Sequence, residues 1–345
     1  MRGKADIAVA GAGAIGSTIA LTLARAGHRV RVFDPAPPDA GASGVAAGML
    51  APAFEALFDE ASHGRFELFR AARDLWLDLA KSIGLPLDRA GAMALGSSEE
   101  VAHWADQLAA LGATASVLGP AKAAALAPGL AGGLNSAFSP DDWRLEPLAA
   151  LTALHAAAEA AGATLISAPF TEADWARADL VVIATGASRS LVGLAPELAK
   201  LTPFKGQILR ASGVVAPRPV IRGAGVYLCA SADGLILGAS MEPGRDDLEI
   251  DAAVVADLIA RTARVSPRLA ELDWTARVGV RAATADGLPL VGEGTAPGVI
   301  LAVGARRNGW LLAPMIAEVV ADLIEGRPRS LEAELFDPRR PLSPG

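Results

Sequence analysis

Residues 7–34, IAVAGAGAIGSTIALTLARAGHRVRVFD, describe a strand, a tight turn, a helix and a second strand. Residues 7–10 are a short apolar run suited to a buried parallel strand, and residues 15–26 follow with helical rather than alternating spacing. Between them stand Gly11, Gly13 and Gly16 in the spacing G-x-G-x-x-G. In a dinucleotide-binding unit the first glycine makes the turn, the second lets backbone approach a pyrophosphate, and the third lets helix and strand pack closely. Ala14 and Ile15 then open a helix whose free N–H groups and dipole favour negative charge. Asp34 follows the second strand, residues 29–33, at a place where a carboxylate accepts both ribose hydroxyls of an adenosine. Arg2 and Lys4 ahead of an alanine-rich stretch have the look of a secretory signal, but Asp6 and the scattered glycines break the apolar core such a signal needs.

At 345 residues the chain exceeds the size at which one core stops growing, so two domains are expected. Hydrophobic residues make up 52% of it, largely through alanine, and no uninterrupted apolar run is long enough for a membrane span. A net charge of -7 and a pI near 5.2, with no long basic run, argue against nucleic acid or anionic membrane as partner. The single cysteine, Cys229, rules out an internal disulfide and a cysteine-rich metal cage, and a cytoplasmic protein is expected. No two of His28, His63, His103 and His155 stand at metal-ligand spacing, so no metal is expected. The subunit number is open, a homo-oligomer included.

Residues 44–52, GVAAGMLAP, are small and uncharged. Such backbone lies against a flat aromatic ligand or starts a tightly packed helix, and the residues leave both open. Residues 65–83 form an amphipathic helix, residues 98–111 a helix capped at Ser97 and Ser98, and residues 120–140 a proline- and glycine-rich loop with short helical turns. A helix over 145–161 and a strand over 163–167 precede the apolar strand 178–184, which runs into Thr185 and Gly186 at the ligand-binding edge of a parallel sheet. Strand-like segments 205–211, 226–229 and 235–240, separated by turn residues, suit an antiparallel sheet. After a helix over 251–265, residues 274–292 return to the first domain. A last apolar strand, 298–302, enters a glycine-bounded turn ahead of a helix over 310–325, a second anion site. The fold class is α/β: a Rossmann-like dinucleotide domain, residues 1–84, 143–203 and 276–345, interleaved with a smaller α+β domain, residues 85–142 and 204–275, on a mostly antiparallel sheet.

Taken together, Gly11 to Gly16, AAGMLAP at residues 46–52, ATG at 184–186, KGQ at 205–207, TADGLPLVG at 284–292 and RNGWLLAP at 307–314 resemble the D-amino-acid oxidase superfamily of flavoproteins, closest to the glycine oxidases of thiamine biosynthesis. The resemblance implies FAD. Gly11, Gly13, Ala14, Ile15 and Gly16 would hold its pyrophosphate and Asp34 its adenosine ribose, with Phe170, Thr185 and Gly186 also on the cofactor. Ala46, Ala47, Gly48, Met49 and Leu50 would line the isoalloxazine, and Asn308, Gly309, Trp310, Leu311 and Leu312 would set a helix N-terminus at its N1/C2=O edge. Reduced flavin is an anion there, so a positive helix end stabilises it.

By the same resemblance Arg281 binds the substrate carboxylate beside the flavin, Tyr227 hydrogen-bonds to it, Arg307 is a second active-site arginine and Met241 a pocket wall. Those types fit the chemistry, because a planar guanidinium clamps a carboxylate with two bonds and a phenol adds a third. The implied reaction is oxidative deamination of glycine or another small amino acid by hydride transfer from Cα to flavin N5, with O2 as electron acceptor. Two alternatives stay open: a D-amino-acid or N-methyl-amino-acid oxidase or dehydrogenase, and a flavin-binding protein without amine turnover. The chain departs from the family at residues 304–306, GAR where Gly-His is usual, at residues 229–231, CAS in place of a proline and arginine, and in a shortened segment 168–179. No cysteine stands in residues 278–292, where relatives attach flavin covalently, so the FAD is expected to be non-covalent. Trp310 stands where an aliphatic residue is common, and its indole must enter either the substrate pocket or the helix packing.

Overall fold

A computed structural model describes residues 3–342. The first sheet has six strands in the order Leu290–Glu293, Val299–Val303, Leu180–Ile183, Asp6–Ala10, Arg29–Phe33 and Thr164–Ile166. All pairs are parallel except the Leu290–Glu293 edge. Ile7 lies in register between Val30 and Leu180. A parallel sheet is covered on both faces, which is why its central strands read as unbroken apolar runs. Helices Ala14–Arg25, Phe66–Ser82, Pro147–Ala160 and Gly309–Glu325 cover one face through a cluster that includes Leu21, Trp76, Leu154 and Ile316. Phe33, Phe170, Leu198 and Leu201 fill the other.

The second sheet has nine strands. They run Glu242–Pro243, Thr202–Ser212, Gly234–Gly238, Val226–Ser231, Val220–Gly223, Ala92–Gly96, Asn135–Ser139 and Ser116–Leu118, and Thr275–Ala283 pairs with Thr202–Ser212 as well. Only Val220–Gly223 with Ala92–Gly96 is a parallel pair. Helix Ala252–Val265 seals one face against Leu209 and Leu237. The other face, with Ile208, Tyr227 and Ile236, turns toward the first unit. A short ribbon, Met49–Leu50 with Trp143–Arg144, ties the two layers. No described helix is long and apolar enough to cross a membrane.

The α/β and antiparallel halves interleave as expected, but the crossing expected at residue 276 is displaced. Strand Thr275–Ala283 pairs along its whole length with Thr202–Ser212, from Thr202 opposite Ala283 to Arg210 opposite Thr275, so the chain leaves the second sheet only after Ala283. Its period-2 alternation, with Ala276, Val278 and Val280 on one side, is the signature of a half-buried strand. Strands also arise where none was expected, among them Ala92–Gly96, Asn135–Ser139 and Val220–Gly223. Each is short and flanked by glycine or proline, so its pairing depends on distant partners rather than on local pattern.

Candidate active site

Where the glycine turn meets the first helix, backbone packs too closely for side chains. A Cβ on Gly11 would stand 2.3 Å from the Ala184 carbonyl oxygen, and one on Gly16 would stand 2.0 Å from that of Gly11. The strand ending at Ala184, Thr185 and Gly186 therefore rests directly on the turn. Gly13 is the N-cap of helix Ala14–Arg25 and supplies no side chain there. In its place Ser43 Oγ, 3.0 Å away, accepts from the Ala14 N–H. Asp34 accepts from the N–H of Ala12 at 2.8 Å and of Ala36 at 3.0 Å, one on each oxygen. Each carboxylate oxygen keeps a free lone pair, so the acid is oriented by the turn and can still take a ribose hydroxyl. Phe170 packs edge-on to Phe33, ring centroids 5.5 Å apart, so its ring belongs to the core beside Asp34.

A cavity of about 510 Å³ opens between the two sheets. Ala46, Ala47, Gly48 and Met49 line it, whereas Leu50 does not: its side chain is fully buried in the first core, because the two-residue strand Met49–Leu50 sends successive side chains to opposite faces. Gly48 takes a positive φ of 71° and would collide with the Leu145 carbonyl oxygen if it carried a Cβ. Asn308 and Trp310 also line it, at the start of helix Gly309–Glu325, whose first-turn N–H groups have no partner within the helix. Leu311 and Leu312 are core residues, and what they offer this end of the cavity is main chain.

Trp310 is 4% exposed. Its Nε1–H donates to the Ser43 carbonyl at 3.0 Å, its ring packs against Trp76 at 6.0 Å, and its own carbonyl accepts from Trp76 Nε1–H at 2.8 Å. The indole thus forms part of the cavity wall while being fixed in the helix packing.

On the second sheet Tyr227 lies opposite Gly238, and a Cβ on Gly238 would come within 2.4 Å of the phenol oxygen. Burial, helped by the neighbouring Cys229, pushes the phenol up to about 12, so it is a neutral donor. Arg281 folds its guanidinium over Gly206 and, among the described residues, donates only to the Met241 sulfur, at 3.7 Å. Burial depresses its pKa, the mark of a cation in want of a counter-ion. Arg307 instead is matched: it donates to Glu55 at 3.2 Å, and that carboxylate raises its pKa.

The structure brings Arg281, Tyr227, Arg307 and Met241 to one cavity, and adds residues that sequence reasoning missed. Glu55, 4% exposed, sits in helix Pro52–Phe58 and accepts from both Arg307 and Arg222, the latter at 3.1 Å. Asp142 caps that helix from outside by accepting from the N–H of Ala53 at 2.7 Å and of Phe54 at 3.3 Å. Burial raises Asp142 to about 7, against the pull of Arg222 and the two amides. Beneath the helix, Asp59 accepts from Arg306 and Ser62; burial pushes its carboxyl up, but those hydrogen bonds outweigh it and hold the pKa low. Phe58 and Trp104 meet edge-on at the rim, centroids 5.2 Å apart.

The residues present fit a dinucleotide cofactor: a side-chain-free turn at a helix N-terminus, the oriented carboxylate of Asp34, a wall of small residues and a second helix N-terminus. A profile of FAD-dependent oxidoreductases matches residues 6–323. The chain is 30% identical to the glycine oxidase of Geobacillus kaustophilus over 373 aligned positions, covering 97% of each. A Rhizobium etli protein named as a thiamine biosynthesis oxidoreductase, ThiO, is 32% identical over 326 positions, 91% of this chain and 95% of that one. The crystal structure of the Geobacillus kaustophilus glycine oxidase superposes with a TM-score of 0.83 at 26% identity, covering 99% of this chain and 100% of that one. With the cradle and the cavity, these likenesses establish that the chain belongs to the family of FAD-dependent oxidoreductases and is an FAD-dependent amino-acid oxidase.

Proposed function

We propose that the protein oxidises a small amino acid, glycine foremost, at its Cα–N bond. One observation carries the reading: among the described residues, the cavity guanidinium of Arg281 has no carboxylate partner. A charged group left without its counter-ion in an enclosed site is costly, and a substrate carboxylate removes that cost. Arg281 clamps the carboxylate with two parallel bonds, and the neutral phenol of Tyr227 donates a third. The carboxylate thereby fixes where Cα and the amine stand relative to the wall of residues 46–49.

Bound FAD supplies the acceptor for the hydride leaving Cα and passes the electrons to O2. Orientation is the protein's main contribution, since a well-placed reactant gains most of its rate from geometry. Among the described residues no histidine lines the cavity, and Glu55 is held by two arginines, so the amine enters already deprotonated, its proton given to solvent. The imine released takes up water, so that amino acid, O2 and water yield oxo acid, ammonia and hydrogen peroxide. The name of the Rhizobium etli relative supports a place in thiamine biosynthesis. The lone thiol, Cys229, buried and pushed up to about 11 by that burial, suits the cytoplasm.

A peroxide assay on glycine, sarcosine, D-alanine and D-proline tests the reading. Turnover of glycine or sarcosine above the others supports it. No turnover of any of them by flavin-loaded protein overturns it.

A further inference from the structure

The charges of the cavity do not balance with one carboxylate bound. Its charged lining residues are Glu55, Glu100, Arg222, Arg281 and Arg307. Glu100 is tied to the N–H of Ser97 at 2.9 Å in an exposed helix cap, so it belongs to the rim. Deeper in, Glu55 is the one carboxylate facing three guanidinium groups, and behind it Asp59 is already matched by Arg306. A substrate carboxylate on Arg281 accounts for one excess positive charge. The other falls on Arg222 and Arg307, which share a single oxygen of Glu55. Arg307 has Asp59 as a second anion at 3.8 Å; among the described residues Arg222 has no second anion within ion-pair distance.

Arg222 is the anomaly. Its side chain is 11% exposed, and its Nε is buried without a hydrogen-bond partner among the described residues. Its Nη2 rests on Glu55 and on the Met49 sulfur at 3.6 Å, which holds the head at the inner wall rather than outside. Asp142, the other acid in its field, spends its two oxygens on the amides of Ala53 and Phe54.

The sheet register then places Arg222 relative to the substrate. Arg222 and Tyr227 are a cross-strand pair, so their side chains share a face and stand side by side. Tyr227 leans over Gly238 on the next strand, and the Arg281 head lies over Gly206 on the strand after that. Across the face the order is Arg222, the phenol, then Arg281. A ligand held by Arg281 and Tyr227 has Arg222 at the far side of the phenol.

Resting on the reading that Arg281 takes the α-carboxylate, we propose that Arg222 forms a second anion subsite, so that among amino acids larger than glycine the site takes one bearing a second carboxylate in preference to its uncharged isostere. The distal carboxylate adds a second anion beside a cavity guanidinium that shares one oxygen of Glu55 with Arg307.

Two measurements on the FAD-loaded protein test this. Dead-end ligands come first: malonate, succinate and glutarate against acetate and propionate, read by thermal shift and by perturbation of the bound-flavin spectrum. At least one dicarboxylate binds about 10-fold or more tighter than propionate, the size of one charge-assisted hydrogen bond. Turnover follows: kcat/KM for D-aspartate exceeds that for D-asparagine, and D-glutamate exceeds D-glutamine, by a similar factor. Arg222→Gln brings both ratios toward one, and Arg222→Lys, which keeps the charge over Glu55 and guards against misfolding, restores part of them. Equal binding of dicarboxylates and propionate by the wild type overturns the subsite. Glycine turnover with no preference for the anionic member of each pair also overturns it, yet leaves the assignment of Arg281 standing. Failure of every α-amino carboxylate, despite tight dicarboxylate binding, sinks the oxidase reading and keeps the anion pair.

Discussion

The guanidinium of Arg281 lies on the bare backbone of Gly206: a Cβ at that position would stand 2.7 Å from both terminal nitrogens. Gly206 therefore sets where the Arg281 head lies although it has no side chain to offer. Gly206→Ala should push the guanidinium out of line, because the clash is with the planar head and leaves little freedom to rotate. KM for a carboxylated amine is expected to rise about 10- to 100-fold, the worth of one to two charge-assisted bonds, with flavin content unchanged. Steady-state kinetics beside the flavin-to-protein absorbance ratio decide it. An unchanged KM would mean that Arg281 does not hold the substrate.

Tyr227 should act as a fixed donor and never as a base. Its pKa near 12 keeps the phenol neutral through the whole working range. Tyr227→Phe should cost about 0.5–1.5 kcal/mol in kcat/KM, a neutral hydrogen bond's share. The pH profile of kcat/KM should keep the same limbs in both proteins, since they report the substrate amine. A limb lost on removing the hydroxyl would show that the phenol titrates in the reaction and that its environment is less buried than the structure has it.

The dinucleotide half of this site was legible from the chain, and the substrate half was legible only in part. Gly11, Gly13, Gly16 and Asp34 lie within one strand-turn-helix-strand unit, so their placement together follows from local spacing. Glu55 and Arg222 meet only because a helix of the first unit lies under a hairpin of the second, 167 residues away in sequence. A signal for Arg222 did exist. Ala224 and Gly225 both take positive φ, at 51° and 75°, and close a two-residue hairpin that pairs Gly223 with Val226. Had residues 220–223 been read as a strand, that turn would have put Arg222 opposite Tyr227. Asp142 carried no local signal, since a cap supplied from outside the helix leaves no trace in the helix's own sequence.

Asp142 should make stability depend on pH in the direction opposite to most carboxylates. Its folded pKa, near 7, lies above the ordinary value of 3.8, so the native state holds a proton there that the unfolded chain has lost. Between those values stability attributable to this group falls as pH rises; above about 7 the group is ionised in both states and the loss is complete. Asp59 and Asp286, with depressed pKa values, work the other way and lose their contribution at low pH. Asp142→Asn keeps an acceptor for the helix cap and deletes the ionisation. The difference in Tm, variant minus wild type, should become more positive from pH 5 to pH 8. A difference that stays flat over that range would mean Asp142 is ionised throughout and is held as an anion by Arg222.

Trp310 should govern cofactor retention and stability rather than substrate choice. Its indole N–H holds the Ser43 carbonyl, and the hydroxyl of the same serine accepts from Ala14 at the N-terminus of the helix that follows the glycine turn. A side chain that fixes this serine fixes the cradle. Trp310→Phe would leave the Ser43 carbonyl unpaired, at about 1–3 kcal/mol, and Trp310→Ile would add the cost of a cavity beside Trp76, about 2–4 kcal/mol. Both variants should melt several degrees lower and lose FAD more readily on dilution, the isoleucine variant more so. The ratio of glycine to D-alanine turnover should stay within about twofold, because the ring is braced on Trp76 and lies flush with the cavity wall. A gain for larger D-amino acids at unchanged Tm would place the indole in the substrate pocket instead and overturn its assignment to the packing of the helix.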